Sequence, residues 1–235
     1  MTPRIETVAI DSLMLRLFDQ IDEANMPWLM AAAERLHAAF GAQLIDLVPS
    51  YTTLMLHYDC LELSEAQALE RVQLALKGLQ PLAMNASGQR HELPVWYHPS
   101  VGPDLQPLAH RAGCTAEQVI ERHCSRDYPV FTLGFAPGFG YMGLVDPSIA
   151  APRLATPRQR VPKGSVGIAE RQTAVYPLVS PGGWNLIGRY PLALFDRERD
   201  GYSLLKPGDR VRFVAIDQPE FLRLGGDPTP MEPTP

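Results

Sequence analysis

The sequence predicts an α+β protein: a small N-terminal α/β open-sheet domain over residues 1–84, then a β-barrel domain over residues 91–224. Three observations carry this. The first eighty residues alternate short apolar strands with two helical stripes. From Tyr128 onward, glycine and proline recur every few residues with aromatic and apolar residues between them, the mark of short strands joined by fixed turns. The chain of 235 residues is 46% hydrophobic, enough to bury a core in each domain.

In order, Thr7–Phe18 alternates as a strand through Val8, Ile10, Leu13, Leu15 and Leu17. Asp22–Phe40 is helical, with Trp28, Leu29, Ala32, Leu36 and Phe40 on one face and Gly41 as its terminator. Gln43–Val48 and Thr52–Tyr58 are strands joined across Pro49-Ser50. Ser64 opens a second helix with Gln67 three residues on, a capping box, followed by Leu69, Val72, Leu76 and Leu79. The order β-α-β-β-α places helices on one face of an open sheet.

Pro81–Arg90 is rich in turn formers, and the linker is placed at 85–90. His91–Tyr97 reads as a strand. Two short helices follow, one opening at Gly102-Pro103-Asp104 with Pro at N1, the other at Thr115 with a second capping box through Gln118. Strand and turn then alternate to Leu205–Ile216, a turn feeding an alternating strand. Residues 225–235, polar and proline-rich, are predicted as a disordered tail.

The net charge of −5 gives no basic footprint, so a nucleic-acid partner is not expected. The apolar runs are too short to span a bilayer, and the N-terminus shows no signal peptide, so a cytoplasmic protein without a membrane partner is expected. Cys60, Cys114 and Cys124 are odd in number with no C-x-x-C pair, which argues against a disulfide framework or a metal site and for reduced, mostly packed thiols.

Residues 134–184 hold most of the chemistry. No phosphate-loop pattern is present; Pro162-Lys163-Gly164-Ser165 has the residue types in another arrangement. Arg153, Arg158, Arg160 and Lys163 form a cationic segment, either a fork for carboxylate or phosphate or a solvated patch pairing with this acidic chain. His123 shares a helix face with Val119 and Ile120, and is either a buried, satisfied histidine or a general base. Asp104 is either a functional carboxylate or, more simply, an acid suited to a helix N-terminus. Trp184 and Tyr176, near Gln172, Thr173 and Asn185, are either core or the wall of a small polar-ligand site.

The ordered motifs G-P-D-L (Gly102–Leu105), E-Q-V-I-x-x-H (Glu117–His123), G-F-x-P-G-F-x-Y-M-G (Gly134–Gly143), T-P-R-x-R-V-P-x-G-S-V (Thr156–Val166), Q-T-x-x-Y-P (Gln172–Pro177) and S-P-G-G-W-x-L-I-G (Ser180–Gly188) resemble the family of the 5-oxoprolinase B subunit, also described as kinase A inhibitor or allophanate hydrolase subunit 1. The resemblance runs from Pro49 to Asp209. It implies a cyclophilin-like barrel. It also implies a complex, formed directly with the 5-oxoprolinase C subunit and completed by the A subunit, which uses ATP with Mg2+ to open 5-oxo-L-proline to L-glutamate. No covalent cofactor is implied, and the chain alone is expected to be inactive. Its implied site has His123, Arg158 and Arg160 as catalytic groups. Phe135, Pro137, Gly138, Phe139, Gln172, Thr173, Tyr176, Ser180 and Trp184 are its ligand-binding groups, with no metal. The arginines would hold a carboxylate or phosphate, Gln172 and Thr173 would hydrogen-bond the ligand, and the aromatic rings would exclude water. The chain departs from the family pattern at Tyr97–Ser100, at Lys163 and at Ala174, where a glycine is usual. Alternatives of another class are a protein-binding inhibitor of a sensor histidine kinase and a carboxyltransferase-like subunit for another small amide.

Overall fold

The computed structural model describes residues 3–83 and 88–231, and the chain divides into two compact units, Met1–Gly88 and Gln89–Pro235. The predicted linker falls partly on residues 84–87, outside the described residues. No described helix is long and apolar enough to cross a membrane.

In the first unit, strands β1 (Arg4–Ala9), β2 (Ser12–Arg16), β3 (Leu44–Ser50) and β4 (Thr53–Tyr58) form an antiparallel sheet in the order β1-β2-β4-β3. Helices α1 (Met26–Phe40) and α2 (Glu65–Leu76) complete it. The single strand expected over 7–18 is a hairpin instead, turning at Ile10-Asp11, because Leu13 and Leu15 pair with Leu56 and Leu54 and leave β1 as an exposed edge. Leu13, Leu15, Leu54, Leu56 and Tyr58 are fully buried, together with Leu29, Ala32 and Leu36 of α1 and Ala68 and Val72 of α2. Both partners of the Ser64–Gln67 capping box are made.

The second unit contains β5 (Arg90–Trp96), α3 (Leu105–Arg111), α4 (Ala116–Cys124), β6 (Asp127–Leu133), β7 (Gly140–Gly143), β8 (Arg158–Val161), β9 (Ser165–Ala169), β10 (Gln172–Val175), β11 (Ser180–Gly182), β12 (Asn185–Arg189), β13 (Arg210–Ile216) and α5 (Gln218–Arg223). Seven strands close a barrel in the order β10-β7-β6-β13-β5-β12-β9, while β8 and β11 form a separate two-stranded ribbon. Within the barrel β13 runs parallel to β5, in register from Arg90↔Arg210 to Trp96↔Ile216. Asp209 fixes that register by accepting the backbone N–H groups of Gln89 (2.7 Å) and Lys206 (2.8 Å) and pairing with His91 (3.0 Å). The core is aliphatic and aromatic, with Val95, Tyr128, Val130, Met142, Val166, Ile168, Ile187, Val211 and Phe213 nearly or fully buried.

Several details differ from the sequence reading. Pro103 precedes the first turn of α3 rather than opening it, with Asp104 in the cap position but making no side-chain cap bond. Helix α5, capped by Asp217 and carrying Pro219 in its first turn, follows the last strand. Residues 225–231 are not frayed: Arg189 holds the carbonyls of Asp227 and Thr229, and Met231 N–H donates to the Ser100 carbonyl. All three cysteines are free thiols, with Cys60 exposed rather than packed.

Candidate functional site

The outer face of β9, β10 and β12 carries a second apolar cluster built around Phe139, Tyr176, Trp184 and Leu186. Its rings meet edge to face, Phe139 with Tyr176 at 5.4 Å and with Trp184 at 5.8 Å between centroids. Phe135 caps the cluster, 5.1 Å from Phe139, yet remains 58% exposed. Its backbone φ of 68° lies in the left-handed region that few non-glycine residues adopt. The turn holds it there through Ala136 N–H to Gly134 O and Phe139 N–H to Ala136 O. Burial pushes the Tyr176 phenol up to about 12. A Cβ on Gly182 would lie 2.3 Å from the Tyr176 hydroxyl, against a ring that is 1% exposed and has no room to retreat. Gly182→Ala is therefore expected to cost about 1–3 kcal/mol in urea unfolding. A variant as stable as the parent would mean that the cluster is loosely packed.

Inside the barrel, His123 is fully buried, stacked 4.4 Å from Phe213. Its Nδ1 lies 2.7 Å from Tyr97 Oη and its Nε2 lies 2.8 Å from Thr173 Oγ1. Thr173 donates its only hydroxyl proton to Gly167 O at 3.2 Å, so it accepts from His123, and Nδ1 accepts from Tyr97; the network assigns the Nε2–H tautomer. His123 is thus the satisfied core histidine of the two readings. Burial holds its pKa down to about 3, against an ordinary 6.5. Between those values the unfolded chain binds a proton that the native state excludes. Stability from this group is complete above about 6.5 and falls by about 1.4 kcal/mol per pH unit as pH drops toward 3. His123→Gln should remove about one proton from the pH dependence of stability below about pH 6.5. An unchanged slope in urea titrations would show that this histidine is not the group responsible.

A cleft of about 920 Å³ runs beside the β8–β11 ribbon. Its lining carries Arg158, Arg160, Lys163 and Arg189 against one carboxylate, Asp227, on a chain whose net charge is −5. Arg158 is nearly buried and paired with Asp104 at 2.9 Å, and the second Asp104 oxygen accepts Leu186 N–H at 2.7 Å. Asp104 therefore braces α3 against β8 and β12 rather than capping a helix. Arg160 and Lys163 both line the cleft and are both exposed. Arg189 is 2% exposed, and its Nη1 donates to the carbonyls of Asp227 and Thr229, both at 2.8 Å.

The structure thus separates the residues that the sequence grouped. Phe135, Phe139, Tyr176 and Trp184 share the outer cluster, and Ala174, at the position where a glycine is usual, is buried within it. Gly138 lies in the same turn, at φ 84°, beside Pro137. Ser180 lies opposite Val161 in the ribbon, and Gln172, partly exposed, pairs with Gly143 and Ala169. His123 and Thr173 belong to the barrel interior. Of the two catalytic arginines expected, Arg160 faces solvent at the cleft and Arg158 is committed to Asp104. Sequence reasoning missed Arg189, although a charged residue closing the apolar run Trp184–Gly188 is itself a signal, because arginine is rarely buried without purpose.

Residues 3–205 match the family described as carboxyltransferase domain, subdomain C and D. The chain is 37% identical over 227 residues to the 5-oxoprolinase B subunit of Bacillus subtilis (strain 168), covering 93% of this chain and 95% of that protein. It is 42% identical over 206 residues to the 5-oxoprolinase B subunit of Escherichia coli O157:H7, covering 86% and 91%. Among solved structures, TTHA0988 matches with a TM-score of 0.76 at 38% identity over 95% of this chain. The chain spans 41% of the length of TTHA0988.

Proposed function

The chain belongs to the carboxyltransferase domain family, subdomains C and D, and on that premise we propose that it is the B subunit of an ATP-dependent 5-oxoprolinase, working in the cytoplasm with an A and a C subunit. The observation that carries this reading is the nearly end-to-end match to the Bacillus subtilis B subunit, 95% of which is covered. The match to only 41% of TTHA0988 fits a division of labour in which other polypeptides supply the remainder. The reaction has a clear chemical need for ATP. A five-membered lactam is a weak electrophile; transfer of a phosphoryl group to its oxygen makes the ring carbon attackable by water. Water adds to that carbon and the C–N bond breaks, freeing the ring nitrogen as the amine of γ-glutamyl phosphate. A second water then hydrolyses the acyl phosphate to L-glutamate and phosphate.

ATP with its Mg2+ is assigned to the complex as a whole. In this chain the cationic cleft fits an oxyanion, either the substrate carboxylate or a phosphate, with Arg160 and Lys163 exposed in its lining. Gln172 and Phe135 do not line this cleft; the aromatic cluster backs it as a wall through Met231, which lines the cleft and packs against that cluster. His123 and Thr173 support that wall from within the barrel.

The test is glutamate release from 5-oxo-L-proline by the three proteins together, with and without ATP, against mixtures each lacking one of them. ATP-dependent glutamate that vanishes when this chain is omitted is the expected result, and this chain alone should release none. Folded, co-purifying proteins that release no glutamate would overturn the reading and favour a regulatory binding role.

A further inference from the structure

Arg189 reaches the outside of the barrel because of a register shift. On β12, Leu186 pairs with Gly167 and Gly188 with Val166, so the ladder slips by one residue between them. Ile187 points into the core with Val166 and Ile168, and the slip turns Arg189 outward, directly opposite Ser165 of β9. Without the slip, strict alternation from Ile187 would aim Arg189 into the barrel.

On that outer face the two residues hold an unusual set of donors. The Nε and Nη2 atoms of Arg189 are buried and have no hydrogen-bond partner among the described residues, and the same is true of Ser165 Oγ. The nearby Asp227 carboxylate does not pair with the guanidinium; it accepts Thr229 N–H at 2.9 Å instead. The unpartnered Nε–Nη2 edge is one of the two edges by which a guanidinium grips a carboxylate or phosphate with parallel hydrogen bonds. The other terminal nitrogen, Nη1, is occupied by two backbone carbonyls of the segment that closes the cleft.

We propose that Arg189, with Ser165, is a buried oxyanion anchor for the carboxylate or phosphate of a small molecule, roofed by residues 227–231 of the same chain. The Asp227 and Thr229 carbonyls hold the guanidinium in place until the ligand enters. Among the described residues the roof is held by Arg189 itself, the Met231 N–H to Ser100 carbonyl bond of 2.8 Å, and the Met231 side chain against the aromatic cluster. Arg160 and Lys163 on the same cleft raise the local anion concentration. The inference rests on reading this cleft as a ligand site and not on the lactam reaction.

The experiment uses the full chain without partner proteins. Binding of inorganic phosphate, 5-oxo-L-proline and the carboxylate-free lactam 2-pyrrolidinone is measured by calorimetry. Hydrogen exchange of residues 227–231 is followed with and without each. At least one oxyanion should bind, 2-pyrrolidinone should not, and exchange at 227–231 should accelerate in the bound state. Arg189→Gln should weaken binding at least roughly tenfold, and Ser165→Ala, which loses no existing hydrogen bond, by about threefold. The exchange measurement on the unsubstituted chain decides the matter if Arg189→Gln does not fold. Failure of both oxyanions to bind, binding with unchanged exchange, or equal affinity in a folded Arg189→Gln chain would each overturn the proposal. Phosphate bound without 5-oxo-L-proline would identify a phosphate site and uphold it. None of these outcomes depends on glutamate release, so the oxoprolinase reading stands or falls separately.

Discussion

Arg160→Ala is expected to lower ATP-dependent glutamate release by the reconstituted complex about 10²- to 10³-fold, the usual consequence of removing one charged donor from a preorganised site. The same change should leave stability within about 0.5 kcal/mol, because Arg160 is exposed and its guanidinium has no partner among the described residues. Loss of activity without loss of fold is what separates a ligand-binding arginine from a structural one, and it contrasts with Arg158 two residues earlier. Arg160→Lys keeps the charge but not the planar fork, so it should restore only part of the activity. If the arginine contacts the substrate carboxylate equally in ground and transition states, the loss will appear in KM; if it holds a phosphoryl group that gains charge during transfer, kcat will fall. A folded Arg160→Ala complex turning over at the parent rate would take this residue out of the site.

Much of the fold was legible because local signals and tertiary structure agreed. The capping boxes at Ser64 and Thr115 both form, since their hydrogen bonds lie within four residues. The regular glycine and proline spacing after Tyr128 announced barrel turns correctly. What failed was non-local. The turn at Ile10-Asp11 carries no glycine or proline, so an alternating apolar pattern ran straight through it. The site was harder. Sequence proximity grouped Arg158 with Arg160, but environment along a short ribbon is set by what packs against it, and only the fold brings Asp104 to Arg158 across 54 steps of chain. Thr173 and Ala174 diverge because successive strand residues face opposite sides, one toward His123 inside the barrel and one into the outer cluster. Arg189 depends on a one-residue slip in β12, which no periodicity in the sequence reveals.

Asp104→Ala is expected to be the most damaging of the polar substitutions, costing about 3–5 kcal/mol, the range for breaking a buried ion pair by removing one partner. The Asp104 and Arg158 side chains are only 12% and 9% exposed, so water does not replace the lost carboxylate. The truncation strands the Arg158 guanidinium, whose Nε is already unpartnered, and leaves the buried Leu186 N–H without its acceptor. Against a total stability of about 5–15 kcal/mol for a typical domain, that loss approaches unfolding at physiological temperature. Asp104→Asn keeps an oxygen for Leu186 and should cost less. The decisive comparison is the double variant Asp104→Leu with Arg158→Met, which removes both charges and should recover much of the stability lost by Asp104→Ala, because the pair's desolvation penalty disappears with it. Urea unfolding of the three proteins measures this directly. If Asp104→Ala lost less than about 1 kcal/mol, the pair would behave as a surface ion pair, and Arg158 would return to the group of arginines available to a ligand in the cleft.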